Sequence, residues 1–313
     1  MSAIKKYQDI INTEISFILN EPLQNPDELY EPINYILSLD GKRIRPALLL
    51  ASCEMFGGDI SKAIYPAIGI EVFHNFTLVH DDIMDNAPLR RNQATVHSRW
   101  NRNTAILSGD VMMVKAYQYI AQCELEFLPR VLSIFSAMAT QVCEGQQWDM
   151  NFETRKDVSI EEYLNMINLK TAVMLAGSLK IGAILGGAYE KDARHIYEFG
   201  KYLGLAFQLQ DDILDVFGDQ SKFGKKAGGD IISNKKTFLY LKAMEMANEL
   251  LRLKMNKLVH STNFVEEDKI KTFTEIYNTL GVKEIAKQKM HGFYENALKH
   301  LSSINLAPPK KNL

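Results

Sequence analysis

Apolar residues recur at intervals of three and four along nearly the whole chain, and the period-two alternation of half-buried strands is almost absent. Ile4, Tyr7, Ile11, Ile15 and Ile18 open the pattern. A chain patterned in this way closes a core by packing helix on helix. The spacing predicts helices over about 4–19, from Asn25-Pro26-Asp27 to Ser38, and from near Pro46 to a Gly57-Gly58 stop. Further helices are expected over 61–85, 104–122, 127–149, 159–168, 171–186, 190–217, 235–258, 265–279 and 281–302. Residues 86–103 and 218–233 read as irregular. No linker, low-complexity segment or short-period repeat divides the 313 residues. The expected architecture is one all-α domain over 1–313, a single large helical bundle with a polar cavity at one end of its core. The tail from about 303 to 313 is expected to be flexible.

One element occurs twice: an apolar helical run that ends in Asp-Asp-x-x-Asp, as LVHDDIMD and again as FQLQDDILDVFGD. Residues four apart share a helix face, which aligns Asp81 with Asp85, and Asp211 with Asp215 and Asp219. One such stripe reads equally well as a solvated helix end. Two stripes facing each other would repel strongly unless cations lay between them. Mg²⁺ suits them, since it takes oxygen ligands, keeps some waters and is commonly completed by substrate phosphates.

Basic clusters stand beside both stripes. GKRIRP carries Lys42, Arg43 and Arg45; Arg90 and Arg91 follow the first stripe; Lys225, Lys226, Lys235 and Lys236 follow the second. Arg grips phosphate oxygens with paired donors and Lys acts as a point charge. Each cluster alone reads as a surface salt-bridge face, and their joint placement favours diphosphate binding. Lys and Arg number 36 against 38 Asp and Glu, a net charge of -2 that gives no reason to expect nucleic acid. Cys53, Cys123 and Cys143 form no metal-ligand spacing and read as reduced structural thiols. The N-terminus lacks a signal-peptide core, and the most apolar stretch, TAVMLAGSLKIGAILGGA, is interrupted by Lys180. A cytoplasmic protein without a membrane span is expected.

Taken in order, the motifs resemble those of the trans-prenyl diphosphate synthases, the polyprenyl synthetases of farnesyl and geranylgeranyl type. They are GKRIRP, HNFTLVHDDIMD with Arg90-Arg91, SGD (108–110), EGQQWD (144–149), Lys170-Thr171, FQLQDDILD, Gly224-Lys225 and Asn234-Lys235. The resemblance covers roughly residues 35–240. It implies a helical bundle of the isoprenoid synthase type, a central cavity flanked by the two DDxxD helices, a homodimer and three Mg²⁺ per active site. The implied reaction joins isopentenyl diphosphate head to tail to an allylic diphosphate (dimethylallyl, geranyl or farnesyl) by ionisation, condensation and elimination. Carried over position by position, Asp81, Asp85 and Asp211 bind metal with Asp215 in support. Lys42, Arg45, His74 and Arg91 match the isopentenyl diphosphate site. Arg90, Lys170, Lys225 and Lys235 match contacts to the allylic diphosphate, and Thr171 and Gln208 lie near the developing cation. The glycine-rich FGKKAGGD (223–230) is suited to closing over substrate.

The same resemblance bears on product length. The growing tail runs alongside the helix of Asp81, so Phe76 lies about 7.5 Å and Phe73 about 12 Å below that residue. In related synthases an aromatic five residues before an uninserted DDxxD goes with a twenty-carbon product. Fifteen-carbon enzymes usually add a second aromatic at the fourth position, which here is Thr77. Geranylgeranyl diphosphate is the expected product, with farnesyl diphosphate next. Two other readings stay open: a terpene cyclase, which would usually carry a different second metal motif, and a regulatory subunit, which typically loses part of a DDxxD.

Overall fold

The computed structural model describes residues 4–218, 228–261 and 264–305. Among these residues the elements are helical, mostly α, apart from one two-stranded ribbon. They are α1 (Lys5–Asn20), α2 (Asp27–Ser38), α3 (Ile44–Met55), a 3₁₀ turn (Ile60–Ala63), α4 (Ile64–Met84), β1 (Leu89–Arg90), β2 (Gln93–Ala94), α5 (Val96–Arg99), α6 (Arg102–Ile120) and α7 (Leu128–Thr154). There follow α8 (Ile160–Ile167), a π segment (Asn168–Ala172), α9 (Val173–Leu185), α10 (Glu190–Phe217), α11 (Gly229–Ile232), α12 (Phe238–Met246), α13 (Glu249–His260), α14 (Glu266–Thr279) and α15 (Val282–Ser302).

Local chemistry accounts for many of the boundaries. Asp27 and Glu28 occupy the first turn of α2, where the positive end of the helix dipole favours carboxylates. Ser159 and Glu162 form a reciprocal capping box that starts α8. Four expectations need correction, the simplest being that 218–233, read as irregular, contains the short helix Gly229–Ile232. Residues 86–103 are not wholly irregular: Leu89–Arg90 pairs with Gln93–Ala94 across Arg91-Asn92, both at positive φ (53° and 60°). That is the backbone a two-residue hairpin turn requires, and Asn supplies half of it readily. The expected gap between 168 and 171 is absent, because the π segment carries the helix from 160 to 185 without a break. The expected helix 235–258 is divided at Ala247-Asn248, where Asn248 accepts from the Leu251 N–H and caps a new helix.

The chain forms two compact units. Of the described residues, the first comprises 4–138, 177–197 and 303–305, and its buried core includes Leu49, Ile68, Ile70, Phe73, Met112 and Phe135. The second comprises 139–176 and the described residues of 198–302, and it closes around Leu209, Ile213, Leu239, Met255, Phe273 and Tyr277. The run 160–185 is long and apolar enough to cross a membrane, yet 72% of its apolar window is buried inside the protein. Cys53, Cys123 and Cys143 are free thiols.

Candidate active site

In the first unit the last turn of α4 carries Asp81, half-buried, and Asp82, buried, with Asp85 exposed at the C-cap. The two adjacent aspartates have different surroundings because one residue is about 100° of helical rotation. Asp82 faces inward and accepts both bonds of the Arg90 Nε–H at 2.9 Å, while Arg90 Nη2 stands 3.5 Å from Asp81 Oδ2. Carboxylates at a helix C-terminus oppose the helix dipole, a local cost that a cation there would offset.

The basic loop before α3 divides its three cations. Arg43 takes a left-handed backbone (φ 44°) and turns inward, donating to Glu71 Oε1 at 2.6 Å and to the Leu37 and Leu39 carbonyls. Lys42 stays exposed. Arg45 Nη1 lies 3.2 Å from His74 Nε2. A guanidinium only donates, so Nε2 accepts and the imidazole proton resides on Nδ1. His74 Nδ1 and Arg45 Nε are buried with no hydrogen-bond partner among the described residues. Buried donors left in this way suit an anionic ligand. Arg91 reaches the same region, donating to the Leu39 carbonyl at 3.1 Å.

Burial, reinforced by Arg45, Arg91, Arg90 and Arg43, holds His74 well below the usual pKa of 6.5. A base depressed in the fold contributes stability that is full above its unfolded pKa and is lost as pH falls below it. Denaturation of the ligand-free protein between pH 8 and pH 5 should therefore show stability declining below about 6.5. His74→Gln should flatten that slope, and an unchanged slope in the variant would assign it to another group.

In the second unit the π segment places Lys170 and Thr171. It is gripped from two sides: a Cβ on Gly145 of α7 would stand 2.3 Å from Lys170 N, and one on Gly204 of α10 would stand 2.6 Å from Ala172 Cα. Only glycine permits these approaches. Lys170 Nζ bonds Asp149 Oδ2 at 2.6 Å. Thr171 Oγ1 donates to Gln208 Oε1 at 3.2 Å, and Gln208 Nε2 donates to Asp212 Oδ1 at 3.3 Å. Asp212 faces inward as Asp82 does, and it also accepts from Tyr163 Oη at 2.5 Å. Burial pushes Asp212 up to about 7.

Asp211 is exposed and Asp215 half-buried at the end of α10, where Asp215 Oδ2 accepts the Asp230 N–H at 3.1 Å. Burial, then Asp215, pushes Asp230 up to about 6, with Asp211 and Asp149 adding to the repulsion and Lys235 opposing it. Such crowded hard oxygen donors fit a divalent cation. No ready cage of three metal-ligating side chains stands among the described residues. Lys235 is exposed, and its N–H donates to the Asp230 carbonyl at 2.9 Å. Lys225, Lys226, Asp219 and most of the 223–230 loop lie outside the described residues.

Phe76 and Phe73 are both buried on α4, their ring centroids 5.7 Å apart, and Phe73 meets Phe135 edge-on at 5.3 Å. Thr77 donates to the His74 carbonyl at 2.7 Å. Sequence reasoning did not anticipate Tyr163, Asp230 or the Lys170–Asp149 pair. Their signal is long-range contact, which periodicity does not carry.

A family model for polyprenyl synthetase matches residues 26–277. The chain belongs to the polyprenyl synthetase family. It is thus a prenyltransferase with the all-α isoprenoid synthase fold. A geranylgeranyl pyrophosphate synthase of Geoglobus acetivorans is 37% identical over 312 residues, covering 99% of this chain and 95% of its own. A solved geranylgeranyl pyrophosphate synthase superposes with a TM-score of 0.92 at 42% identity, covering 98% of this chain and 94% of that one. A geranylfarnesyl diphosphate synthase of Natronomonas pharaonis is also 37% identical, over 78% of this chain and 76% of its own. Equal identity therefore spans relatives named for different products.

Proposed function

We propose that this polyprenyl synthetase is a short-chain trans-prenyl diphosphate synthase that elongates allylic diphosphates with isopentenyl diphosphate and stops at geranylgeranyl diphosphate. The observation that carries the product assignment is the buried Phe76 ring, five residues before Asp81, with the small Thr77 next to it. A wall that stops the tail also stops elongation.

Asp81 and Asp85 of the first unit, and Asp211 with Asp215 in support in the second, would hold Mg²⁺, which would supply Lewis acidity toward the departing pyrophosphate. Arg45, His74 and Arg91, with exposed Lys42, bind the isopentenyl diphosphate; the Arg45 Nε and His74 Nδ1 groups, buried with no partner among the described residues, support this role. Arg90, Lys170, Lys225 and Lys235 hold the allylic diphosphate. Stabilising the leaving charge as the C–O bond breaks is the largest service a fixed set of cations can give. Thr171 and Gln208 face the allylic cation with oxygens that orient it without acting as strong nucleophiles. Apolar surroundings keep water from capturing the cation. The protein works as a homodimer in this reading, and exposed Leu107 (58%) and Val114 (57%), seven apart on α6, support it.

Incubation with dimethylallyl diphosphate and labelled isopentenyl diphosphate, with product lengths resolved, tests the proposal. A dominant twenty-carbon diphosphate is expected. Arrest at fifteen carbons, or continuation past twenty, overturns the product assignment, and cyclic hydrocarbons or no elongation overturn the reaction. In the same assay Phe76→Ala should lengthen the products and Thr77→Phe should shorten them. An unchanged distribution in Phe76→Ala would place the floor elsewhere, with Phe73 the next ring to test.

A further inference from the structure

Tyr163 is 3% exposed and sits in the core of the second unit, where a phenylalanine would fill the same space. Its hydroxyl nevertheless donates to Asp212 Oδ2 at 2.5 Å. Asp212, also 3% exposed, accepts the Phe238 N–H on Oδ2 at 3.4 Å and Gln208 Nε2 on Oδ1 at 3.3 Å. Three donors thus converge on one buried carboxyl group.

The polarity of this arrangement propagates. Asp212 Oδ1 accepts, so Gln208 turns its NH₂ toward it and its carbonyl oxygen the other way. Thr171 Oγ1 meets that oxygen at 3.2 Å and can only donate to it. A hydroxyl has one proton, and with that proton committed to Gln208 the remaining face of Oγ1 shows lone pairs alone. A proton held in the short Oδ2 contact would leave Oδ1 an acceptor, so the order of donors and acceptors survives protonation of Asp212. The backbone of Thr171 is pinned by the glycine contacts of the π segment, which leaves the hydroxyl rotor as the freedom this chain removes.

We infer that Tyr163 and Asp212 are positioning residues: through Gln208 they make Thr171 present lone pairs, and never its proton, to the allylic cation. The inference rests on the proposed reaction, in which Thr171 and Gln208 face that cation. An O–H aimed at a carbocation would destabilise it, whereas a fixed lone pair favours it without reorganising as charge develops. The role is distinct from packing, because deleting the Tyr163 oxygen keeps the ring.

Steady-state kinetics of the full chain, with dimethylallyl and isopentenyl diphosphates varied in turn, test this. Tyr163→Phe should lower kcat by about 10- to 100-fold, as loss of outer-shell orientation commonly does, and Asp212→Leu, which removes the acceptor that orients Gln208, should lower it at least as far. Both KM values should stay within about two-fold, since substrate binding is not the step affected. The urea midpoint of Tyr163→Phe should remain close to that of the wild type. The double variant should lose no more than the worse single one, because both act through the same carboxyl. A kcat for Tyr163→Phe within two-fold of wild type overturns the inference. So does a loss that appears in KM or tracks a lowered midpoint, or a double variant whose losses multiply. Elongation by the wild type in the same assay reports separately on the reaction, so failure of that reading is not mistaken for failure of this one.

Discussion

Asp81→Ala or Asp211→Ala should reduce kcat by about a thousand-fold or more while leaving the protein folded. Asp81 stands in the last turn of α4, where the helix dipole already disfavours negative charge. Asp211 adds to the repulsion that pushes Asp230 up to about 6. Removing Asp211 relieves repulsion, so stability should hold or rise as activity is lost, whereas Asp81→Ala also gives up the 3.5 Å contact with Arg90 and should change stability little. Turnover measured across a Mg²⁺ titration, beside urea unfolding of the same samples, checks both halves. Near-normal turnover in the variants, or in wild type with EDTA in excess, would remove the carboxylate stripes from the mechanism. Asp212→Ala should behave differently from its neighbour and lower stability, because it strips a buried acceptor from Tyr163, Gln208 and Phe238.

The largest stability effect should come from Glu71→Ala. Arg43 and Glu71 form an ion pair at 2.6 Å with side chains only 4% and 2% exposed. Asn75 Nδ2 also donates to Glu71 Oε1, at 3.0 Å. Truncating Glu71 leaves a guanidinium buried with two backbone carbonyls and no counter-charge. Breaking a buried pair in this one-sided way costs about 3–5 kcal/mol. Urea denaturation should show that loss, and replacing both partners, as Arg43→Met with Glu71→Leu, should recover much of it. A loss below about 1 kcal/mol would mean that the pair stays hydrated. Activity should fall too, since the same loop carries Lys42 and Arg45.

The sequence by itself determined the class of fold and the chemistry of its ends. Three-and-four spacing confines apolar residues to one side of a helix wherever it occurs, which is why α1, α2, α10, α14 and α15 fall within a residue or two of their expected bounds. The same geometry shows that Asp81 and Asp211 share faces with Asp85 and Asp215, and that Asp82 and Asp212 do not. Two acidic stripes and three basic clusters were legible because runs of like charge are conspicuous beside apolar helices, whereas Lys170-Thr171 was legible only through the family resemblance. What lies across from each residue was not legible. Arg43 and Arg45 are two positions apart in one motif, yet only the fold gives the first to Glu71 and the second to His74. Asp212 meets Tyr163 from 49 positions away, and Lys170 meets Asp149 from 21. The π segment likewise owes its place to Gly145 and Gly204, glycines whose spacing to Lys170 means nothing until α7 and α10 are packed against it. Periodicity states which side of a helix is buried. Only the tertiary structure, through contacts between residues far apart in the chain, decides which partner is buried with it.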